Sequence, residues 1–127
     1  MTMPESTSDP VSDLVRKSYA AFFSKDRKTM EDLLSEDFVF NSPQDDHLNR
    51  SAYFERCFPN SSEFQAHTIE QLFVSGNEAL VRYQAELRNG ARFRNVEYIQ
   101  TDGEKIKEVD VYFGSQINTR QSQNARK

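Results

Sequence analysis

Along this chain the spacing of hydrophobic positions changes from a helical period to strict alternation near Phe64. Before that point, apolar side chains recur three or four positions apart in three stretches. After it, apolar and polar residues alternate in four stretches that are separated by short turn sequences. The pattern therefore predicts an α+β domain in which three N-terminal helices cover a curved antiparallel sheet, with a meander in its second half.

The predicted helices have recognisable start and stop signals. Asp9 precedes the first amphipathic stripe, and Asp26 precedes a second, shorter stripe that includes Leu34. Asn49 can cap the third helix, and Pro59 marks its end because proline cannot donate the hydrogen bond that a helix interior requires. Each helix is expected to bury one face.

The third helix has two different sides, and a short extended run precedes it. Helical spacing places Tyr53 and Cys57 on one side and Phe54 and Phe58 on another. The run at residues 38–40 is apolar and too short for a helix, so it predicts a strand. Between these elements the polar residues 44–48 are expected to form a loop.

Four strands are predicted in the second half, and the turns between them contain residues suited to tight hairpins. The strands are expected at Phe64–Val74, Ala79–Arg88, Ala91–Thr101 and Lys105–Gly114. Asn89-Gly90 and Asp102-Gly103 join the last three, and both dipeptides readily adopt the positive φ angles of hairpin turns. These strands should form a meander.

Alternation also predicts which side chains face the helices. In the third of these strands, Asn95 and Glu97 share a side with two apolar residues, and Arg92 and Arg94 lie on the opposite side. Polar groups would then stand in the middle of an apolar wall, unless the strand is flipped or bulged. Arg92 and Arg94 are expected to lie in solvent or at a dimer contact. Alternatively, one of them pairs with an acid across the sheet.

Composition restricts the function classes. The 127 residues carry a net charge of −4 at pH 7, which opposes non-specific binding to nucleic acid. The lone Cys57 cannot form an internal disulfide, and the first residues lack the pattern of a secretory signal, so a cytoplasmic location is expected. No apolar run approaches the roughly 20 residues of a membrane span. Residues 1–8 are expected to be a flexible arm, 9–114 one domain, and 115–127 a polar tail.

Two stretches, read with the order of elements, carry a family resemblance. Residues 33–43 read LLSEDFVFNSP and residues 105–114 read KIKEVDVYFG. Together with the helices and the meander they resemble the SnoaL-like branch of the nuclear transport factor 2-like superfamily. The resemblance implies a cone-shaped α+β barrel, usually a homodimer, that encloses a pocket for a small apolar molecule. The sequence itself, from its charge, its lack of a long apolar run and its lack of nucleotide or metal motifs, predicts no cofactor and no nucleic acid or membrane partner.

The resemblance also suggests residue roles. Tyr19 matches the tyrosine that ketosteroid isomerases of this superfamily keep as a hydrogen-bond donor, and Glu97 matches their second acid. Ser42 stands where those isomerases carry an aspartate base, and a serine needs an activating partner to take a proton. Asp45, Asp46 and His47 follow in the same loop and are the nearest candidates to move a proton, with Asp46 and His47 taken as the catalytic pair, although a solvated turn is the simpler interpretation.

Further side chains are expected to line the pocket through their place on inward faces. These are Ser42, Tyr53, Cys57, Tyr83, Asn95, Val111 and Phe113. Tyr19 is alternatively an ordinary core residue, and Cys57 is more simply a buried apolar side chain than a nucleophile. His67 has no metal-ligand partner at a recognisable spacing, and the chain contains no nucleotide or metal motif.

Two functions from different classes fit these observations. One is an enzyme that performs acid–base chemistry beside a carbonyl group, of the isomerase, cyclase or dehydratase type. The other is a dimeric module that binds a small molecule or a protein without chemistry, which the missing base at Ser42 favours.

Overall fold

The computed structural model describes residues 9–117, and these form three helices and six strands. The helices are α1 (Pro10–Phe23), α2 (Arg27–Leu33) and α3 (Arg50–Ala52), and α3 continues into a π-helical turn (Tyr53–Cys57) and a 3₁₀ segment (Phe58–Glu63). The strands are β1 (Leu34–Asn41), β2 (Leu48–Asn49), β3 (Phe64–Ser75), β4 (Glu78–Leu87), β5 (Arg92–Thr101) and β6 (Ile106–Ile117). The expected arm at 1–8 and most of the expected tail lie outside the described residues.

The three predicted helix starts are confirmed by their caps. The side chains of Asp9, Asp26 and Asn49 each accept a hydrogen bond from a backbone N–H two or three residues later, at 2.8, 3.2 and 2.8 Å. These bonds satisfy donors that have no partner within the helix. The longest helix, α1, has 14 residues, and no helix within 9–117 combines the length and apolar character of a membrane span.

Two helix boundaries differ from the prediction. Leu34 begins β1 instead of ending α2, because its backbone pairs with Ile106 of β6 and its side chain is buried. The third helix is regular for only one turn, and its hydrogen bonding then widens and later tightens around Pro59. A proline there supplies no backbone N–H, so a regular α-helix cannot continue through it.

The six strands form one open, mixed sheet in the order β2-β1-β6-β5-β4-β3. The predicted antiparallel meander is confirmed for β3 to β6, and its turns place Gly90 and Gly103 at positive φ. The exception to antiparallel pairing is β1, which lies parallel to β6. The whole meander separates these two strands in sequence, so no hairpin constrains their direction. Strand β6 also continues three residues beyond the expected end, to Ile117.

Irregular pairing bends the sheet toward the helices. The register shifts between Phe64 and Ala66 and between Ile69 and Gln71 in β3, and again between Phe93 and Asn95 in β5. Such bulges increase the local twist and bend the strand that carries them. The resulting concave face is covered by α1 and the helical segment at 50–63, which confirms the predicted α+β architecture, although the sheet is not closed into a barrel.

The core lies on this concave face. Its most completely buried large side chains are Val15, Phe38, Val81, Ile99 and Ile106. They come from α1 and four different strands, so the core joins the helical layer to the whole width of the central sheet. The predicted inward side of β5 is confirmed, since Ile99 and Asn95 are both buried.

The opposite, convex face of the sheet combines apolar and charged side chains. Phe73, Leu80, Val96 and Tyr112 expose between 37% and 62% of their surface there. Arg94 donates to Glu70 at 2.8 Å, which confirms the expectation that an arginine of β5 pairs with an acid across the sheet. A polar face that carries this many exposed apolar side chains is typical of an interaction surface.

Gly114 permits a close approach of β6 to β5 at Arg94, which leads to the first prediction. A Cβ at this position would overlap the carbonyl oxygen of Arg94. Gly114→Ala should therefore push β6 away from the bulge in β5 and lower the free energy of unfolding by about 1–3 kcal/mol. Urea denaturation measures the loss, with exposed Ser115→Ala as the control. Equal stability of both variants would contradict the packing argument.

The convex face yields the second prediction, that two copies pair through it. Val96 lies centrally between Arg82 of β4 and Tyr112 of β6. A Val96→Glu variant should dissociate the pair, because a charge would be buried at the contact. Light scattering on a sizing column measures the mass, with Ala20→Glu on the exposed side of α1 as the charge-matched control. A wild-type monomer at micromolar concentration would refute the pairing.

Candidate functional site

A cavity of about 430 Å³ lies between the concave sheet, α1 and the helical segment that follows α3. Its wall is mainly aromatic and aliphatic, with a small number of polar groups. The expected lining residues Ser42, Tyr53, Cys57, Tyr83, Asn95, Val111 and Phe113 all reach it, as do Tyr19 and Glu97. This size and this composition are typical of sites for small organic molecules.

Tyr19 and Glu97 meet across the cavity. The Tyr19 hydroxyl donates a hydrogen bond of 2.7 Å to Oε1 of Glu97. Tyr19 lies on the inner face of α1, whereas Glu97 lies in the middle of β5, opposite Val111 of β6. The contact therefore joins the helical layer to the centre of the sheet.

A second phenol reaches the same carboxyl group. The Tyr83 hydroxyl accepts a hydrogen bond of 3.2 Å from the Asn95 amide, which leaves its own proton free for Glu97. The Asn95 carbonyl oxygen in turn accepts from the backbone N–H of Gly114 at 3.1 Å. Because both ends of the Asn95 side chain are bonded, Tyr83 is held in a fixed position.

Burial controls the protonation of Glu97. Desolvation raises the pKa of its carboxyl group from 4.5 to about 7, while the hydrogen bonds from Tyr19 and Tyr83 act in the opposite direction. Burial followed by the charge of Glu97 raises the pKa of both phenols well above the usual range. Near neutral pH both protonation states of the carboxyl group are therefore populated, whereas the two phenols keep their protons and remain donors.

Tyr53 and Cys57 form the neighbouring part of the wall, on the side that the sequence predicted. Burial raises the pKa of the Cys57 thiol to about 12 and the pKa of Tyr53 well above its usual range. A thiol with so high a pKa is a poor nucleophile, which supports the interpretation of Cys57 as a small apolar side chain. The Tyr53 hydroxyl makes no hydrogen bond with the described residues, although it lies near enough to Glu97 for that charge to affect its pKa.

The mouth of the cavity is formed by the loop after β1. Ser42, Gln44 and Asp45 line it, and Asp45 pairs with Arg56 at 3.0 Å. The Ser42 hydroxyl accepts backbone hydrogen bonds from Gln44 and Asp45, at 3.2 and 3.1 Å. Ser42 therefore shapes the loop, and no residue activates it as a base.

Asp46 and His47, the expected proton carriers, point away from the cavity. They pair with each other at 3.0 Å, and their side chains are 85% and 75% exposed. His47 adopts a positive φ of 58°, and its backbone N–H bonds to Asn41, so the chain turns outward at this point. Asp46 and His47 therefore belong to a solvated turn, the simpler of the two interpretations of this loop, and they do not reach the cavity as proton carriers.

His67 and Asp45 show what the sequence did and did not reveal. His67 stacks on Phe23 with ring centres 4.1 Å apart, in the structural role expected for it. Of the two neighbouring aspartates in the loop, Asp45 reaches the cavity and Asp46, the one expected to be catalytic, does not. Nothing in the local sequence distinguishes these two aspartates.

Residues 9–117 contain no cluster of three or more side chains suited to a metal ion.

Comparisons with known proteins agree with this architecture. A family model described as a SnoaL-like domain matches residues 15–109. No curated protein sequence matches the chain. A crystal structure from Kribbella flavida superposes with a TM-score of 0.74 at 18% identity, and the match covers 94% of this chain and 98% of that one.

Two further structures have informative descriptions. An NTF2-like protein from Cytophaga hutchinsonii gives a TM-score of 0.68 at 22% identity, covering 92% of this chain and 97% of that one. An LEH-like epoxide hydrolase from M. tuberculosis gives a TM-score of 0.68 at 17% identity, and the match covers 87% of this chain and 85% of that one. At these identities the likeness shows a shared fold.

The raised pKa of Glu97 leads to the third prediction. Between the unfolded pKa of 4.5 and the folded pKa of about 7, the native state holds more protons than the unfolded state. The free energy of unfolding should therefore fall as the pH rises through this window, by about 3 kcal/mol from this group. Glu97→Gln should remove that part of the pH dependence.

Urea denaturation of the wild type and of Glu97→Gln at about pH 5 and about pH 8 gives the free energy of unfolding of each protein at each pH. The contributions of the other titratable groups are the same in both proteins, so they cancel when the two pH dependences are subtracted. Glu55→Gln, on the exposed side of the helical segment, is the matched control. Parallel pH profiles of the wild type and Glu97→Gln would show that the carboxyl group is not desolvated.

Proposed function

Because the chain belongs to the SnoaL-like domain family, we propose that its cavity binds a small, mainly apolar carbonyl compound and that Glu97 moves a proton at the carbon beside the carbonyl. The hydrogen bond between Tyr19 and Glu97 inside an apolar cavity is the observation that carries this proposal. A carboxyl group whose pKa lies near neutrality serves as a base and then as an acid at one pH.

The proposed reaction needs only this one acid–base group. The Glu97 carboxylate takes a proton from the carbon next to the carbonyl, and the electron pair of that C–H bond moves to the carbonyl oxygen. The protonated Glu97 then returns its proton to the same or another carbon. Tyr19 keeps the carboxylate oriented through its hydrogen bond at Oε1. The net result is isomerisation or exchange without a net gain or loss of atoms.

Tyr53 is the proposed donor to the developing oxyanion. Its hydroxyl lines the cavity without a hydrogen-bond partner among the described residues, and its raised pKa keeps the proton in place. A neutral donor in a dry site stabilises a transient enolate most when that donor has no competing partner. Tyr19 and Tyr83 are less suited to this role while they bind the carboxylate.

A second candidate function is ligand binding without chemistry, in a dimer that pairs through the convex face. The positions of Asp46 and His47 outside the cavity favour it, because they leave Glu97 as the one deep carboxyl group in the described lining. The cavity would then serve as a carrier or sensor site with the same ligand preference.

Proton exchange with a simple ketone provides the fourth prediction. The wild type should speed the exchange of the acidic C–H protons of β-tetralone into deuterated water, followed by NMR. Glu97→Gln should reduce the rate by about 100-fold or more, since an amide cannot accept the proton. Tyr53→Phe should reduce it without affecting the pH at which the rate is half maximal.

The matched control, Glu55→Gln, should keep the wild-type rate. Binding of β-tetralone without faster exchange would support the second candidate. Equal exchange by the wild type and Glu97→Gln would refute the catalytic role of Glu97.

A further inference from the structure

The Glu97 carboxyl group lacks a cation. The charged residues that line the cavity are Asp45 and Glu97, and the described lining includes no lysine, arginine or histidine. Asp45, at the mouth, is paired with Arg56 at 3.0 Å. The hydrogen-bond partners of the Glu97 carboxyl group among the described residues are the hydroxyl groups of Tyr19 and Tyr83. A buried charge in a protein is normally paired or neutralised, and the described wall gives the ionised form of Glu97 hydroxyl donors but no cation.

The described groups that line the cavity around Glu97 are neutral or acidic, and His67 of β3, whose ring lies 6.3 Å from that of Tyr19, is outside the lining. Tyr19 faces it from α1, Tyr83 from β4, and Tyr53 and Cys57 from the helical segment, while Asp45 approaches from the loop. Val111 of β6 lies opposite and cannot ionise. No group in this set can supply a positive charge to the carboxylate.

The same walls offer aromatic rings to a cation. The rings of Tyr19 and Tyr83 are 5.1 Å apart in an edge-to-face arrangement, and Tyr53 lies 5.2 Å from Phe38. All four line the cavity. The negative faces of such rings attract ammonium groups, most strongly where water is excluded.

From these two observations we propose that the ligand carries a protonated amine, which pairs with the Glu97 carboxylate between the surrounding aromatic rings. This inference rests on the proposed binding function but does not depend on catalysis. The chemical class is a small primary or secondary amine with an apolar skeleton. An amino ketone satisfies both proposals, because a positive charge near the reacting carbon also stabilises the enolate.

The acidic residues of the cavity lining favour a cationic ligand over an anionic or a neutral one. An anionic ligand would meet two carboxylates and no free cation, so its charge would be buried without compensation. A neutral ligand would remove the remaining water from Glu97 and favour its protonated form. A cationic ligand instead favours the ionised form, so these three classes predict different responses to pH.

Three compounds with the same bicyclic skeleton test the proposal, which is the fifth prediction. They are β-aminotetralin, β-tetralone and tetralin-β-carboxylate, measured by calorimetry on the full chain at about pH 6 and about pH 8. At the higher pH the amine should bind at least tenfold more tightly than the carboxylate. Its affinity should rise about tenfold between the two pH values, in proportion to the ionised fraction of Glu97.

Two variants separate the pairing from simple apolar binding. Glu97→Gln should weaken the amine at least tenfold at the higher pH and abolish the pH dependence, while leaving the ketone within about twofold. Glu55→Gln, the exposed control, should bind all three compounds like the wild type. A folded Glu97→Gln protein, verified by its circular dichroism spectrum, is required for both measurements.

The outcomes distinguish this inference from the proposed function. If β-tetralone binds and exchanges protons while the amine does not bind, the amine inference is wrong and the proposed function stands. If the amine binds as described without ketone exchange, the inference stands and the catalytic proposal fails. Equal amine affinity in the wild type and Glu97→Gln would overturn the ion pair.

Discussion

The hydrogen bond between Tyr19 and Glu97 is the constraint on which the rest of this site depends. It places a half-buried ionisable group on the wall of the cavity, where the desolvation that raises the carboxyl pKa also strengthens each hydrogen bond it receives. The contact spans the cavity from α1 to the centre of β5. The helical layer and the sheet are therefore connected at this point by a polar contact on the cavity wall.

The polar groups of the site depend on one another in a definite order. Gly114 allows β6 to approach the bulge in β5, and its backbone N–H binds Asn95. Asn95 fixes the oxygen of Tyr83, whose proton is then available to Glu97. Backbone geometry at the edge of the cavity thus determines how many donors the carboxylate receives. The pKa of Glu97 therefore depends on the backbone geometry of β5 and β6 as well as on the side chains that line the cavity.

The features of the fold and the site that depend on neighbouring residues could be predicted from the sequence. The caps Asp9, Asp26 and Asn49 act within three residues, and alternation in β5 is enough to place Glu97 on the inner face. Other features depend on distant partners. The outward turn at His47 requires Asn41, which itself binds Glu108 and Asp110 of β6, far away in sequence. No pattern within the loop could reveal this, so Asp45 and Asp46 were indistinguishable.

The parallel pairing of β1 with β6 has a consequence for how the chain is made. The ribosome releases β1 early, yet its permanent neighbour on the sheet is the last strand of the domain. Until β6 emerges, the aromatic side chains of β1 have no complete site in which to pack. The β1–β6 pairing therefore closes a long loop of chain, which is the kind of non-local contact that slows folding, and the sheet is completed only when β6 has been made.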